Sequence, residues 1–168
     1  MTSILNSSIN GEYLFAGTNT DVKPINDFTA AGSPAKAALD AAFVARFGFA
    51  STDPAAANLT GAQLDNFITT DVMPQFFGPA WKTNWSNATD QPIVSRISLN
   101  ETTESSVSAN TDGVKKFAMA AAIVSTLFSG NLNADAKKAV AQKALTLTGE
   151  ASAASRKHNR KLVSSSSA

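Results

Sequence analysis

The chain of 168 residues contains no cysteine. That absence excludes a disulfide framework, a thiolate metal site and a cysteine nucleophile. Histidine occurs once, as His158 near the C-terminus, so neither a histidine-based triad nor a histidine metal cluster can be assembled. Charge is scarce as well: Asp, Glu, Lys and Arg make up 16% of the residues, against the usual ~25%. No stretch approaches the ~20 apolar residues of a membrane span. The most apolar segment, Phe117 to Phe128, is interrupted by Ser125 and Thr126. Met1 to Ile9 carries no Lys or Arg and only a broken apolar run, which is not the pattern of a secretory signal.

What is present is an ordinary share of hydrophobic residues, 43%, with a mean hydropathy of −0.05 and an abundance of Ala, Ser, Thr and Asn. The length suits one domain, which buries roughly 70% of its unfolded surface and needs no covalent staple. The net charge of +1 hides an asymmetry. Ala151 to Ala168 holds four basic residues (Arg156, Lys157, Arg160, Lys161) and no acid, so the rest has 14 − 4 = 10 basic against 13 acidic residues, a net of −3. An acidic body with a basic Ser-rich end lacks the basic folded face of a nucleic-acid groove, and the end reads as solvated.

Along the chain, Thr2 to Ile9 fits the last turns of a helix stopped by Asn10 and Gly11. Glu12 to Ala16 reads as a short strand closed by Gly17, and Thr18 to Ala31 as irregular chain around Pro24. Ser33-Pro34 opens a helix to about Phe47, with Leu39, Phe43 and Phe47 on one face and Gly48 as its stop. Asp53-Pro54 opens a further short turn. Thr60 to Gln63 matches a capping box, and the helix it starts carries Leu64, Phe67, Ile68 and Val72 on one side. Pro74 and Gly78-Pro79 are predicted to disrupt that helix. Ile93 to Leu99 reads as a strand that Thr102 to Val107 pairs with. Asn110 or Thr111 caps a helix over Gly113 to Phe128. That helix is apolar on two stripes: Val114, Phe117, Ala118, Ala121, Val124 and Phe128 on one, Met119, Ile123 and Leu127 on the other. It is therefore expected to be the buried centre. Asn133 caps a last helix, Ala134 to Thr148, with Ala136, Val140, Ala144 and Leu147 inward, Lys137, Lys138 and Lys143 outward, and Gly149 as its end. The fold class is α+β and helix-dominated, with central buried helices and a few short strands. No repeat of fixed period is visible.

Residues for chemistry are sparse. Gly11 to Thr18 has two glycines at the wrong spacing for a phosphate loop and no Lys. Glu101 with Glu104, or Asp65 with Asp71, are paired carboxylates in polar surroundings, which reads as solvated surface and not as acid/base machinery. Asn19, Asp21 and Asn26 share a loop but lack the spacing of a calcium site. Trp81 and Trp85, four apart, fall on one helical face; core packing is the plain reading and a sugar-stacking platform the sharper one. Five Asn-x-Ser/Thr sequons begin at Asn6, Asn58, Asn84, Asn87 and Asn100, as the composition alone would produce. No cofactor or metal is implied, and the chain is not expected to be an enzyme.

The segment Asn10 to Pro24, NGEYLFAGTNTDVKP, resembles the flagellar hook-associated protein 3 branch of the flagellin family, whose members carry a Gly-x-Tyr-Leu-Phe-x-Gly-Thr signature. Gly11, Tyr13, Leu14, Phe15, Gly17, Thr18 and Pro24 match it. KAALDAAF at Lys36 to Phe43, NWS at Asn84 to Ser86, SRIS at Ser95 to Ser98 and SVSAN at Ser106 to Asn110 are similar to rhizobial-type members, in the same order. The resemblance covers Met1 to about Glu150. It implies a structural subunit of the bacterial flagellum at the hook–filament junction, acting in motility by self-assembly and packing. The implied partners are neighbouring junction subunits, the hook-side junction protein, filament flagellin and an export chaperone, with no nucleic acid and no membrane. The implied location is the flagellum, outside the cell, although a chain without the family's export segment would stay in the cytoplasm. An adhesin-like or carbohydrate-binding module using Trp81 and Trp85 is the alternative.

The family's subunits begin with a long helix that pairs with a C-terminal one, and this sequence opens just before the signature. The expectation is a truncated relative in three regions: 1–33, a helix end with the signature strand and loop; 34–150, a helix-rich body; and 151–168, a disordered basic tail. Codons that could encode Ser155 to Ala168, read one base earlier, give LTQAQPQARLVQQR, which looks like the start of the family's C-terminal helix. The tail is thus expected to be a frameshift product. With terminal helices absent, apolar surface on the last two helices should be exposed, leaving the chain marginal alone or prone to associate.

Overall fold

The structure is a computed structural model that describes residues 2–91, 94–98, 101–104 and 108–165, with side chains at 3–91 and 108–157. It is helix-dominated α+β, with two small antiparallel two-stranded sheets among the described residues. After a single helical turn, α1 (Thr2–Leu5), comes a hairpin in which β1 (Ser8–Ile9) pairs with β2 (Glu12–Tyr13). The helix expected over Thr2 to Ile9 ends at Leu5, so Asn10 and Gly11 do not stop it but turn the hairpin. Both take positive φ, 54° and 87°, the two left-handed positions of the tight hairpin turn that Asn-Gly favours. The strand expected over Glu12 to Ala16 ends at Tyr13, because Phe15 and Ala16 turn their carbonyls toward distant segments.

Helix α2 (Pro34–Phe47) starts and stops as its sequence dictates. Ser33 accepts a hydrogen bond from the Lys36 amide, and Gly48 closes the helix at φ 82°. A 3₁₀ turn over Pro54–Asn58 follows, with Asp53 accepting from the Ala55 amide. The Thr60–Gln63 capping box is formed at the head of α3 (Gly61–Phe67). Leu64, Phe67, Ile68 and Val72 are all fully buried. Pro74 does not disrupt this helix. A π turn over Ile68–Val72 intervenes, and the chain runs straight into α4 (Met73–Phe77). Pro74 thereby falls in the first turn of α4, where a missing N–H and a fixed φ are tolerated. Gly78-Pro79 does end it. A second π turn, Trp81–Trp85, closes with the Ser86 amide donating to the Trp81 carbonyl at 2.9 Å.

β3 (Val94–Ser98) and β4 (Glu101–Glu104) pair antiparallel as expected; the remainder of the predicted strands, at Ile93, Leu99 and 105–107, lies outside the described residues. α5 (Asp112–Leu127) then packs along α6 (Ala134–Ser165) and against α2 and α4. Met119, Ile123 and Leu127 are fully buried, but the first predicted stripe is not: Phe117 and Phe128 stand exposed. On α6, Ala136, Val140, Ala144 and Leu147 face the core, and Asn133 caps it by accepting from the Ala136 amide at 2.9 Å. One continuous core unites these helices with Leu5, Ile25 and Phe28 of the first 33 residues. It holds two aromatic clusters, Phe43–Phe47–Phe49–Phe67 and Phe28–Phe76–Trp81–Trp85.

The tail corrects two expectations. Gly149 does not end the last helix, and residues 151–165 are helical, not disordered. The reason is tertiary. Ala151 is buried, and a Cβ added at Gly113 would sit 3.3 Å from the Ala151 carbonyl and from Ser155 Oγ. Small residues at Gly113, Ala151 and Ala154 let the two helices close, and Lys116 ties to Glu150 at 2.6 Å.

Candidate functional site

The signature loop folds onto two distant segments. The Ala16 carbonyl accepts from the Thr89 amide (3.1 Å), the Thr18 amide donates to the Gln91 carbonyl (3.1 Å), and the Ala109 amide donates to the Phe15 carbonyl (2.8 Å). Further along, the Asn26 amide donates to the Trp85 carbonyl (2.8 Å) and the Asn87 amide to the Pro24 carbonyl (2.9 Å), with Ile25 bridged to Ser86. Asparagine side chains add further ties. Asn6 both accepts from the Ile25 amide and donates to its carbonyl, Asn19 donates to the Asn87 carbonyl, Asn26 to that of Asn84, and Asn87 to that of Lys23.

Gly17 is where the loop comes closest. Its φ is +66°, and an added Cβ would lie 2.6 Å from the Gln91 carbonyl, 2.8 Å from that of Thr89, and against Thr89 Oγ1. Conformation and space both demand glycine here. Gly11 has open space around it and is held only by its turn. Phe15 leans on the core, Pro24 is buried, Tyr13 is half-buried, and Leu14 and Thr18 are exposed.

Behind this loop lies a polar hub. Asn110 Oδ1 accepts from Trp81 Nε1 at 2.7 Å and from Ser86 Oγ at 2.6 Å, while Asn110 Nδ2 donates to the Ala88 carbonyl and to Asp90 Oδ1, both at 2.8 Å. The amide's full capacity, two donors and two lone pairs, is used. Lys82 closes the far side with an ion pair to Asp90. That ammonium, followed by the Asn110 amide, holds the Asp90 carboxyl below its ordinary value. The Thr29 hydroxyl and amide do the same for Asp27. Trp81 and Trp85 stack on each other at 5.9 Å, and Phe28 lies flat on Trp85 at 5.1 Å.

No family model, curated protein or solved structure matches this chain.

The residue types singled out for chemistry are scattered. Trp81 and Trp85 are each 1% exposed. A sugar-stacking platform needs an open ring face, so the carbohydrate reading of these two residues is corrected: they are core. Asp65 pairs with Lys143 and Asp71 with Arg46, on separate faces. The side chains of Glu101, Glu104 and His158 lie outside those described. Asn19 and Asn26 serve as ties between loops, and among the described residues no group of three or more His, Cys, Asp or Glu side chains could hold a metal ion. No described helix is long and apolar enough to cross a membrane. What the site does with its hydrogen bonds is fix one loop against another, leaving no free lone pair at Asn110 for a ligand. The hub role of Asn110 escaped the sequence reading, which offered Asn110 or Thr111 as a helix cap. Thr111 holds that position, with no side-chain hydrogen bond. The clustering of Asn at 84–87 and 110 with Trp81 was the available signal.

Proposed function

We propose that this chain is a structural subunit of the flagellin type, belonging at the hook–filament junction of a bacterial flagellum and acting by packing in an assembly that serves motility. The observation that carries the reading is the meeting of three segments far apart in sequence, each quoted for the resemblance: Asn10 to Pro24, Asn84 to Ser86 and the end of Ser106 to Asn110. The Ala109 amide donates to the Phe15 carbonyl and Ser86 Oγ to Asn110 Oδ1, which links the three into one hydrogen-bonded unit, and the signature's Gly17 packs beside it against Thr89 and Gln91. A motif preserved for catalysis would aim side chains into a cleft. This one uses backbone carbonyls, a tight turn and a glycine contact, as a motif kept for shape does. An apolar strip left open on α5 and α6 is the second support, since a subunit needs surface to give to its neighbours. Neighbouring junction subunits, the hook-side junction protein, filament flagellin and an export chaperone are the partners this reading assigns.

The test is localisation in a flagellated host that expresses the chain behind a flagellar export segment, with an internal epitope at the exposed Gly32 turn. Immunogold label at the hook–filament junction is the expected result. Chain exported into the medium with bare flagella would end the proposal.

A further inference from the structure

Helix α5 presents Phe117, Ala121, Val124 and Phe128 at intervals of four, three and four residues, and α6 presents Ala141, Leu145 and Thr148 at four and three. These residues line an open groove of about 610 Å³ between the two helices. Phe117 is 44% exposed, Phe128 41% and Leu145 72%. No charged side chain lines the groove. Its hydroxyl groups are satisfied within their own helices: Ser125 Oγ donates to the Ala122 carbonyl at 3.1 Å, and Thr148 Oγ1 reaches those of Ala144 and Leu145 at 3.0 and 2.9 Å. A surface laid over this face would strand no polar group and would remove three large apolar side chains from water.

We propose that the occupant is a second copy of the same chain, paired antiparallel about a two-fold axis. The argument is self-complementarity. A four-three-four spacing reads the same in both directions, so α5 turned end for end sets Phe117 opposite Phe128 of the second copy and Ala121 opposite its Val124. The centre of that set falls between Ala122 and Ile123. On α6 the groove residues centre between Ala144 and Leu145. Lys116 lies beside Glu150, and six residues inward from each lead to Ala122 and Ala144, so the two centres lie at one level. A single axis therefore serves both helices, as an isologous contact requires.

The area sets the class of the pairing. α5 is 16 residues long, ~24 Å at 1.5 Å per residue, and two helices lying side by side make a face on the order of 450 Å² per copy. The pair buries about 900 Å², below the 1,200–2,000 Å² of stable complexes, which makes this a reversible, concentration-dependent dimer. A lone helix from another protein, about 10 Å across, would cover the seam and leave one flank wet. The inference stands on the groove alone and survives the failure of the flagellar reading.

Sedimentation equilibrium over about 1–500 µM, a range suited to transient contacts, is the first arm. The mass should climb from 17.4 kDa toward twice that value. Leu145→Glu should stay at the single-chain mass throughout with an unchanged thermal melt, while Val44→Glu, on an exposed site of α2, should associate as before. The cysteine-free background supplies a second arm. Ala121→Cys, next to the axis, should form a disulfide dimer under oxidation, and Val114→Cys, two turns away, should not. A constant single-chain mass, an undiminished climb in Leu145→Glu, or equal cross-linking at both cysteines, as parallel pairing would give, overturns the proposal.

Discussion

Asn110 engages four partners through one amide, joining the Trp81 indole, Ser86, the Ala88 carbonyl and Asp90. Removing it leaves several part-buried polar groups without a partner, each costing about 1–3 kcal/mol. Asn110→Ala is accordingly expected to destabilise the chain by on the order of 3 kcal/mol, read as a fall in the urea midpoint. The two tryptophans separate by the same reasoning. Trp81 Nε1 is paired, whereas Trp85 Nε1 is buried without a partner among the described residues. Both rings are packed alike, so Trp81→Phe should cost more than Trp85→Phe by about 1 kcal/mol, the net worth of one hydrogen bond. Gly17→Ala adds left-handed strain to a collision with two carbonyls, and a loss of about 3 kcal/mol or more is expected. Gly11→Ala meets only the conformational term. At this scale the caps were legible in sequence, because Ser33, Asp53, Thr60 and Asn133 act on amides two or three residues away. The hub was not, because Asn110 acts on residues 20 or more positions distant.

Elements follow the same divide between near and far. α2 begins and ends where Ser33-Pro34 and Gly48 put it, and the capping box of α3 forms within its own first turn. α3 and α4 join through a π turn that no periodicity announced; inserting one residue into the helical register lets Pro74 sit at the start of a new turn. The longest departure is in α6. Gly149 reads as a stop in sequence, yet it sits inside a helix with open space beyond its Cα. Gly149→Ala should thus stabilise the chain by about 0.5–1 kcal/mol, measured as a rise in the urea midpoint. A helix truly ended by a left-handed glycine there would be weakened instead. Composition misjudged residues 151–165 because Ala, Ser, Lys and Arg carry no apolar stripe of their own. Their helix is held by the contact of Ala151 and Ser155 with Gly113.

In the whole molecule, the first 33 residues and the helical body share one core, so loosening the loop crossing should loosen everything. The Asp90 carboxyl supplies a handle on this. Its folded value is depressed by Lys82 and Asn110 from an ordinary value of 3.8, so its contribution is present above that value and fades as pH falls through the lower folded one. Unfolding midpoints should drop below about pH 4, and Asp90→Asn should flatten part of that drop, Asp27, whose carboxyl is depressed in the same direction, contributing as well. A profile identical in the variant would show that the hub's ion pair does not report on folding. What the sequence determined by itself was the helical α+β class, the cap and stop of α2, the capping box, and the inward faces of α3 and α6. All of these depend on neighbours within a turn or two of helix. Tertiary structure alone decided that the two indoles are closed to any ligand, that Gly17 must be glycine, that the last helix outlasts Gly149, and which apolar stripe of α5 stays open. Each of those turns on what lies across a contact from a residue remote in the chain, and local pattern carries no record of that.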